Sequence, residues 1–270
     1  MNLTVISMCK KEKNEIIYAS IITVIMTIMN ISGLPATLFI NVNILDIQPF
    51  YFSLMVNFVL TAIVFIGAWK VLYPDWNFGL GTQGLISGIR KYAVSGMIIF
   101  FLSTLAFVIG LIPFNNQPTI AKVVVEGFVY YIGVAFIEEL YIRGLLQNII
   151  EKLFHRKKNA SFYAIILSSI IFGVGHIFGA LGSSILAIIC KVVWTIALGL
   201  YLGVIYKKTG NLWVPIILHT VIDFCAWPFC YSTIPPYPQI SLWILLVVYA
   251  GVGAYALGIM VKNMKGRKRV

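Results

Sequence analysis

The chain has 270 residues, 60% of them hydrophobic and only 11% charged, with a formal net charge of +11. Its mean hydropathy is +0.94. So little charge cannot cover a water-facing surface, and so much apolar content excludes a disordered chain. The class that remains is an all-α polytopic membrane protein. A span needs about 20 apolar residues, which leaves room for about eight transmembrane helices and no sizeable soluble domain. A single integral membrane domain over 1–270 is therefore expected, with the lipid bilayer as its first partner. The basic excess sits in short clusters between apolar runs. The positive-inside rule accounts for that pattern without invoking nucleic acid.

Eight apolar runs follow one another at about 16–40, 51–69, 92–112, 123–150, 160–178, 185–206, 212–230 and 240–261. The first is too long for a removed signal peptide and lacks a small-residue cleavage site, so it reads as a mature helix. Residues 74–91 hold Pro74, Gly79, Gly81, Gly84 and Gly88, which predicts a loop or an interfacial segment. The fourth run is interrupted by Glu138, Glu139 and Arg143, the fifth carries His176, the sixth Lys191, and the seventh His219 and Asp223. When the Lys and Arg residues are assigned to alternate sides of eight spans, Lys122 alone falls on one side and Arg143 and Lys191 lie within spans. All the others share the opposite side, which predicts cytoplasmic termini. Cys9, Cys190, Cys225 and Cys230 form no CxxC pair, and those in apolar stretches read as small hydrophobes. Gly210 and Asn211 predict a helix stop followed by an N-cap, Trp213 an interfacial anchor, and Trp227-Pro228 a kink. Lys122 and Glu126 read as a surface pair, and His155, in a basic loop, as solvated.

A charge at the bilayer centre costs at least ~2.5–3.5 kcal/mol. The membrane groups must therefore pair or line a wet cavity. At ~1.5 Å per helical residue, Glu138, His176, Lys191, His219 and Asp223 all lie roughly 16–27 Å from the cytoplasmic ends of their runs. One shared depth points to one site, with a core at about 123–230. Glu139 and Arg143 are four apart and can pair directly. Glu138 is turned about 100° away and is free to face a cavity. His219 and Asp223 share a helix face, as do Phe172 and His176. For Lys191, pairing with Asp223 ranks ahead of snorkelling or of binding a substrate carboxylate.

Amide hydrolysis needs an activated water and a site for the developing oxyanion. A partly buried carboxylate can be the base, a histidine can orient the water or protonate the leaving amine, and aimed donors can hold the oxyanion. Glu138, His176, His219 and Asp223 supply such parts without a nucleophilic Ser or Cys. The same residues could build a zinc site, because two His and one Glu form a known catalytic set; its ligands would be Glu138, His176 and His219. There is no HExxH motif here. We adopt the arrangement that needs no cofactor, because the three side chains lie on separate helices.

Glu138-Glu139-x-x-x-Arg143, Phe172-x-x-x-His176 and His219-x-x-x-Asp223 resemble the motifs of the CAAX protease and bacteriocin-processing (CPBP, or Abi) family of intramembrane proteases. Gly199-Leu200-Tyr201-Leu202-Gly203 through Tyr206, and Thr209-Gly210-Asn211-Leu212-Trp213-x-Pro215, are similar to that family too. The resemblance covers residues 125–225 or so. It implies a bundle of eight helices and endopeptidase activity within the bilayer, on a hydrophobic peptide or a lipidated protein. By motif match, Glu138 would activate water, Glu139 and Arg143 would support it, and His176 would help hold the water. His219 and Asp223 would stabilise the oxyanion. Many members have Asn at the Asp223 position, and only a protonated Asp223 could donate a hydrogen bond there. Two other functions fit the same residues. One is a proton- or ion-coupled transporter, since such groups build relays. The other is a non-catalytic bacteriocin self-immunity or scaffold protein.

Overall fold

In a computed structural model of the chain, residues 10–32, 49–234 and 237–266 are described. The predicted continuation of the first run to residue 40, the basic residues at 267–269 and Cys9 lie outside them. The described residues form helical rods. They are α1 (Lys10–Ser32), α2 (Pro49–Leu72), α3 (Leu85–Leu111) and α4 (Ile120–Leu153). After these come α5 (Ala160–Gly175), α6 (Ile185–Thr209), α7 (Trp213–Tyr231) and α8 (Gln239–Gly266). Among the described residues, α3 to α8 are six helices long and apolar enough to cross a membrane. The chain is an integral membrane protein. The first two expected spans correspond to α1, which opens on charged residues between Lys10 and Glu15, and α2, with a shorter apolar stretch at Phe58–Leu72.

Element boundaries follow local chemistry. Thr119 Oγ1 accepts from the Lys122 backbone N–H at the start of α4, and Ser184 Oγ accepts from that of Ala187 at the start of α6. Each satisfies an amide that has no partner within the helix. Gly210 ends α6 with φ +63°, a left-handed conformation that favours glycine. The Asn211 side-chain oxygen then accepts from the Trp213 amide and opens α7. The expected stop and cap are therefore both present. The segment 74–91 differs from expectation, because helix α3 already begins at Leu85. Gly88 is helical and lies against α7, where an added Cβ would sit 2.7 Å from a methyl of Val214. Its glycine serves close packing rather than a turn.

α6 packs along α5 and α8, α2 along α4, and α3 against α7 and α8. One apolar core gathers Tyr92, Phe107, Leu198, Tyr201, Leu218 and Tyr249 from α3, α6, α7 and α8. A second gathers Phe65, Trp69, Trp76, Phe78, Leu140 and Ile216 around α2 and α4. Side chains such as Val64, Val94, Ile120 and Val247 are exposed on the outside of the bundle, as a lipid-facing surface requires. Lys152 donates to Glu15 at 3.0 Å and lies over the Trp76 ring, tying α1 to α4.

The segment between α2 and α3 is strapped to the α6–α7 turn. Leu212 N–H donates to the Gly79 carbonyl, Trp213 Nε1–H to that of Leu80, and Tyr206 O–H to that of Phe78. Trp213 also stacks on Phe136. Asn211, only 1% exposed, donates to the carbonyls of Gly81 and Gln83 at 2.6 and 2.9 Å. Its removal strands two part-buried acceptors and a helix amide. Asn211→Ala is therefore expected to lower stability by about 1–3 kcal/mol, measured as a drop in Tm in detergent. Asn211→Asp keeps the cap but loses both donations, and should fall between the two.

Candidate active site

α4 changes its winding at the site. After Glu139 the α-helix passes into a π-helical stretch, Leu140–Gln147, before α-helix resumes at Asn148. Such insertions of wider winding are rare and concentrate at functional positions. Here it carries Arg143 and Gln147 against α6. Arg143 Nη2 donates to the Gly199 carbonyl and Gln147 Nε2 to the Gly203 carbonyl, each at 3.2 Å. An added Cβ on Gly203 would stand 2.9 Å from Gln147 Oε1, so the glycine permits this approach.

Glu139 is fully buried, and one of its oxygens makes both of its bonds. Arg143 Nη1 donates to Oε1 at 2.8 Å, and His219 Nδ1 lies 2.7 Å from the same atom. The expected ion pair is present. The bond to His219 was not foreseen, since spacing along one helix says nothing about a partner 80 residues away. The shared depth of Glu139 and His219 was the signal that could have suggested it. The guanidinium also lies over the Phe172 ring, 4.9 Å from its centroid. Arg143 is thereby enclosed by a carboxylate, a carbonyl and an aromatic face.

Glu138 points the other way, into a cavity of about 700 Å³ between α4, α5, α6 and α7. Its walls include Glu138, His176, Lys191, His219, Asp223 and Tyr131. Such a volume is ordinary for a ligand site. Glu138 Oε1 lies 3.6 Å from His176 Nε2, and Oε2 lies 3.7 Å from His219 Nε2. These distances exceed direct hydrogen bonds. His219 Nε2 is also 3.3 Å from Asp223 Oδ2. The side chains of Glu138, His176 and Asp223 are 22–25% exposed, whereas that of His219 is 2% exposed. The first three therefore form the reachable wall, with His219 set behind them.

Local structure fixes each imidazole. His176 ends α5, where its Nδ1 lies 2.8 Å from the Phe172 carbonyl oxygen. A carbonyl only accepts, so Nδ1 carries the proton and Nε2 of the neutral ring is left as an acceptor toward Glu138. Phe172 meets both imidazoles edge to face and thereby spaces them. In His219, Nδ1 is turned to Glu139 and Nε2 to the cavity.

All four catalytic candidates, Glu138, His176, His219 and Asp223, meet in this cavity, with Glu139 and Arg143 directly behind them. Lys191 departs from expectation. Among the described residues it makes no ion pair with Asp223, whose carboxylate faces His219 instead. Nor does any group of three His, Cys, Asp or Glu side chains among them stand in an arrangement that could hold a metal ion. Lys122 and Glu126 pair at 3.8 Å, but the Glu126 side chain is only 11% exposed, so the pair is half-buried rather than the surface pair expected; His155 is exposed.

Residues 120–225 match the family described as type II CAAX prenyl endopeptidase Rce1-like. The match spans the motif residues from Glu138 to Asp223 and agrees with the resemblance read from their spacing. No curated protein matches the chain.

The two neighbouring glutamates should separate in a stability measurement. Glu139→Ala leaves Arg143 buried without its counter-charge and should cost about 3–5 kcal/mol. Glu138→Gln alters a cavity-wall group without a direct hydrogen bond and should shift stability by less than about 1 kcal/mol. Thermal unfolding of both variants in detergent checks the contrast.

Proposed function

We propose that the chain is an intramembrane endopeptidase in which Glu138 activates water against a peptide bond of a hydrophobic or membrane-associated substrate, including a lipidated protein tail. One observation carries the reading. A carboxylate on a cavity wall stands 3.6 and 3.7 Å from two imidazole nitrogens, while its neighbour Glu139 is held behind it by Arg143 and His219 through one oxygen. The family match over residues 120–225 supports the same class of reaction.

A water held by Glu138 can bridge to His176 at these separations. His176 Nε2 accepts one of its hydrogens, and a Glu138 oxygen takes the other proton as the water oxygen attacks the carbonyl carbon. The carbonyl π electrons move onto oxygen. His219, with a proton on each nitrogen, donates Nδ1–H to Glu139 and Nε2–H toward that oxyanion. Asp223 Oδ2 holds the Nε2–H before the substrate arrives, so Asp223 positions His219. When the tetrahedral intermediate collapses, the C–N bond breaks and the Glu138 proton passes to the leaving amine. The products are a carboxylic acid and an amine, which exchange the acid's proton and leave as a carboxylate and an ammonium. Arg143 and Glu139 keep His219 in one orientation throughout, which favours donation without reorganisation at the moment of reaction. The positive-inside pattern supports cytoplasmic termini for this enzyme.

Glu138→Gln removes the base and should lower kcat by about 10²–10⁴-fold with little change in KM. His219→Ala should lower it by about 10²–10³-fold. Cleavage of a hydrophobic peptide by purified protein in detergent, read by mass spectrometry, tests both. Full cleavage by Glu138→Gln would end this reading. Metal analysis and chelation belong in the same assay. The proposed chemistry predicts activity that survives chelation and a preparation without stoichiometric zinc.

A further inference from the structure

Lys191 is a cation in an apolar helix whose position none of the catalytic steps above uses. It belongs neither to the ion pair of Glu139 and Arg143 nor, as an ion-pair partner, to Asp223. Its backbone carbonyl accepts from Thr195 Oγ1, which fixes the helix turn. Its ammonium sits over the Trp194 ring, 4.9 Å from the centroid, and makes no ion pair among the described residues. The same lysine lines two cavities. One is the cavity of about 700 Å³ that holds Glu138. The other, of about 230 Å³, is walled by Phe107, Phe229, Tyr237 and Tyr249. Tyr130, Tyr131, Lys191, Trp194, Asp223 and Tyr237 border both, so Lys191 stands at their junction.

An ammonium at this depth is costly unless it meets a counter-charge or water. The aromatic face of Trp194 offsets a part of that cost. Snorkelling would direct the head group out along the lipid surface, yet this side chain borders the interior cavities. Asp223 is the nearest acidic candidate by sequence, and its oxygen is turned to His219. A single compact cation beside one fixed carboxylate suits an incoming monoanion better than a doubly charged phosphate. The side cavity supplies aromatic walls for an apolar group next to that anion.

We infer that Lys191 is a specificity-determining residue that binds a carboxylate of the peptide substrate at the junction of the two cavities, with the adjoining apolar side chain seated in the aromatic side cavity. This rests on the endopeptidase reading. The carboxylate can come from the peptide terminus or from an acidic side chain, and the chemistry of recognition is the same.

Three hydrophobic peptides test it on the full chain in nanodiscs: one with a free carboxyl terminus, its amidated twin, and the amidated twin with Glu in the last position. Wild-type protein should cleave the free-acid peptide about 10-fold better than the amide in kcat/KM, through KM. Lys191→Gln should bring the acid down to the level of the amide and leave the amide unchanged, and Lys191→Arg should restore a part of the preference. A preference shared by the Glu-bearing amide assigns the carboxylate to a side chain, and its absence there assigns it to the terminus. Equal cleavage of acid and amide by the wild type, or equal loss on both in Lys191→Gln, overturns the proposal. Binding of the same peptides to Glu138→Gln protein, with and without Lys191→Gln, separates the two readings. If wild type cleaves nothing but Glu138→Gln still binds the acid more tightly through Lys191, the endopeptidase reading fails and the carboxylate site stands.

Discussion

A single oxygen atom, Glu139 Oε1, ties the site together. It accepts from Arg143 at 2.8 Å and lies 2.7 Å from His219 Nδ1, with all three side chains almost completely buried. Burying such charges costs several kcal/mol each, and only mutual pairing with good geometry recovers that cost. The arrangement therefore tolerates little displacement. Arg143 reaches on to the Gly199 carbonyl, so the same knot joins α4, α6 and α7. Helices in a bilayer lack a hydrophobic force that would draw them together, and polar contacts of this kind are among the few that specify their register. The fold and the placement of His219 share one set of bonds.

Two adjacent glutamates consequently do different work. Glu139 is spent on holding its neighbours. Glu138, turned onto the cavity wall, keeps its oxygens out of direct hydrogen bonds with either imidazole. That difference follows from a rotation of about 100° between consecutive helical residues. It converts a repeated residue type into a scaffold group and a group that faces the cavity. His176 has a comparable division within a single ring. Phe172 occupies one nitrogen from below, and the other is left toward Glu138.

Much of this was legible in the residues themselves. Eight apolar runs predicted the order of the helices, because lipid demands internal backbone pairing over a set length. The cost of charge in the bilayer led to the depth argument, and depth brought Glu138, His176, His219 and Asp223 to one cavity. The i,i+4 rule found the Glu139–Arg143 pair. What escaped were relations across helices. Glu139 meets His219 from another helix, and Asn211 straps a distant segment through backbone carbonyls. Neither leaves a periodic trace. Lys191 was assigned to Asp223 because opposite charges at similar depth invite pairing, but Asp223 lies four residues from His219 and turns to it. The early start of α3 was hidden by glycines that serve packing and look like turn residues.

The wide-wound stretch of α4 has a consequence for the phase of that rod. Its later part is locked to α6 through Arg143 and Gln147, and its earlier part presents Glu138. One surplus residue per insertion shifts everything upstream by about 100° around the axis. Were the stretch rewound as plain α-helix with Gln147 at its end held in place, the carboxylate would swing off the cavity wall by about that angle. The extra residue acts as an angular spacer, and the helix forgoes ideal backbone geometry to aim one side chain.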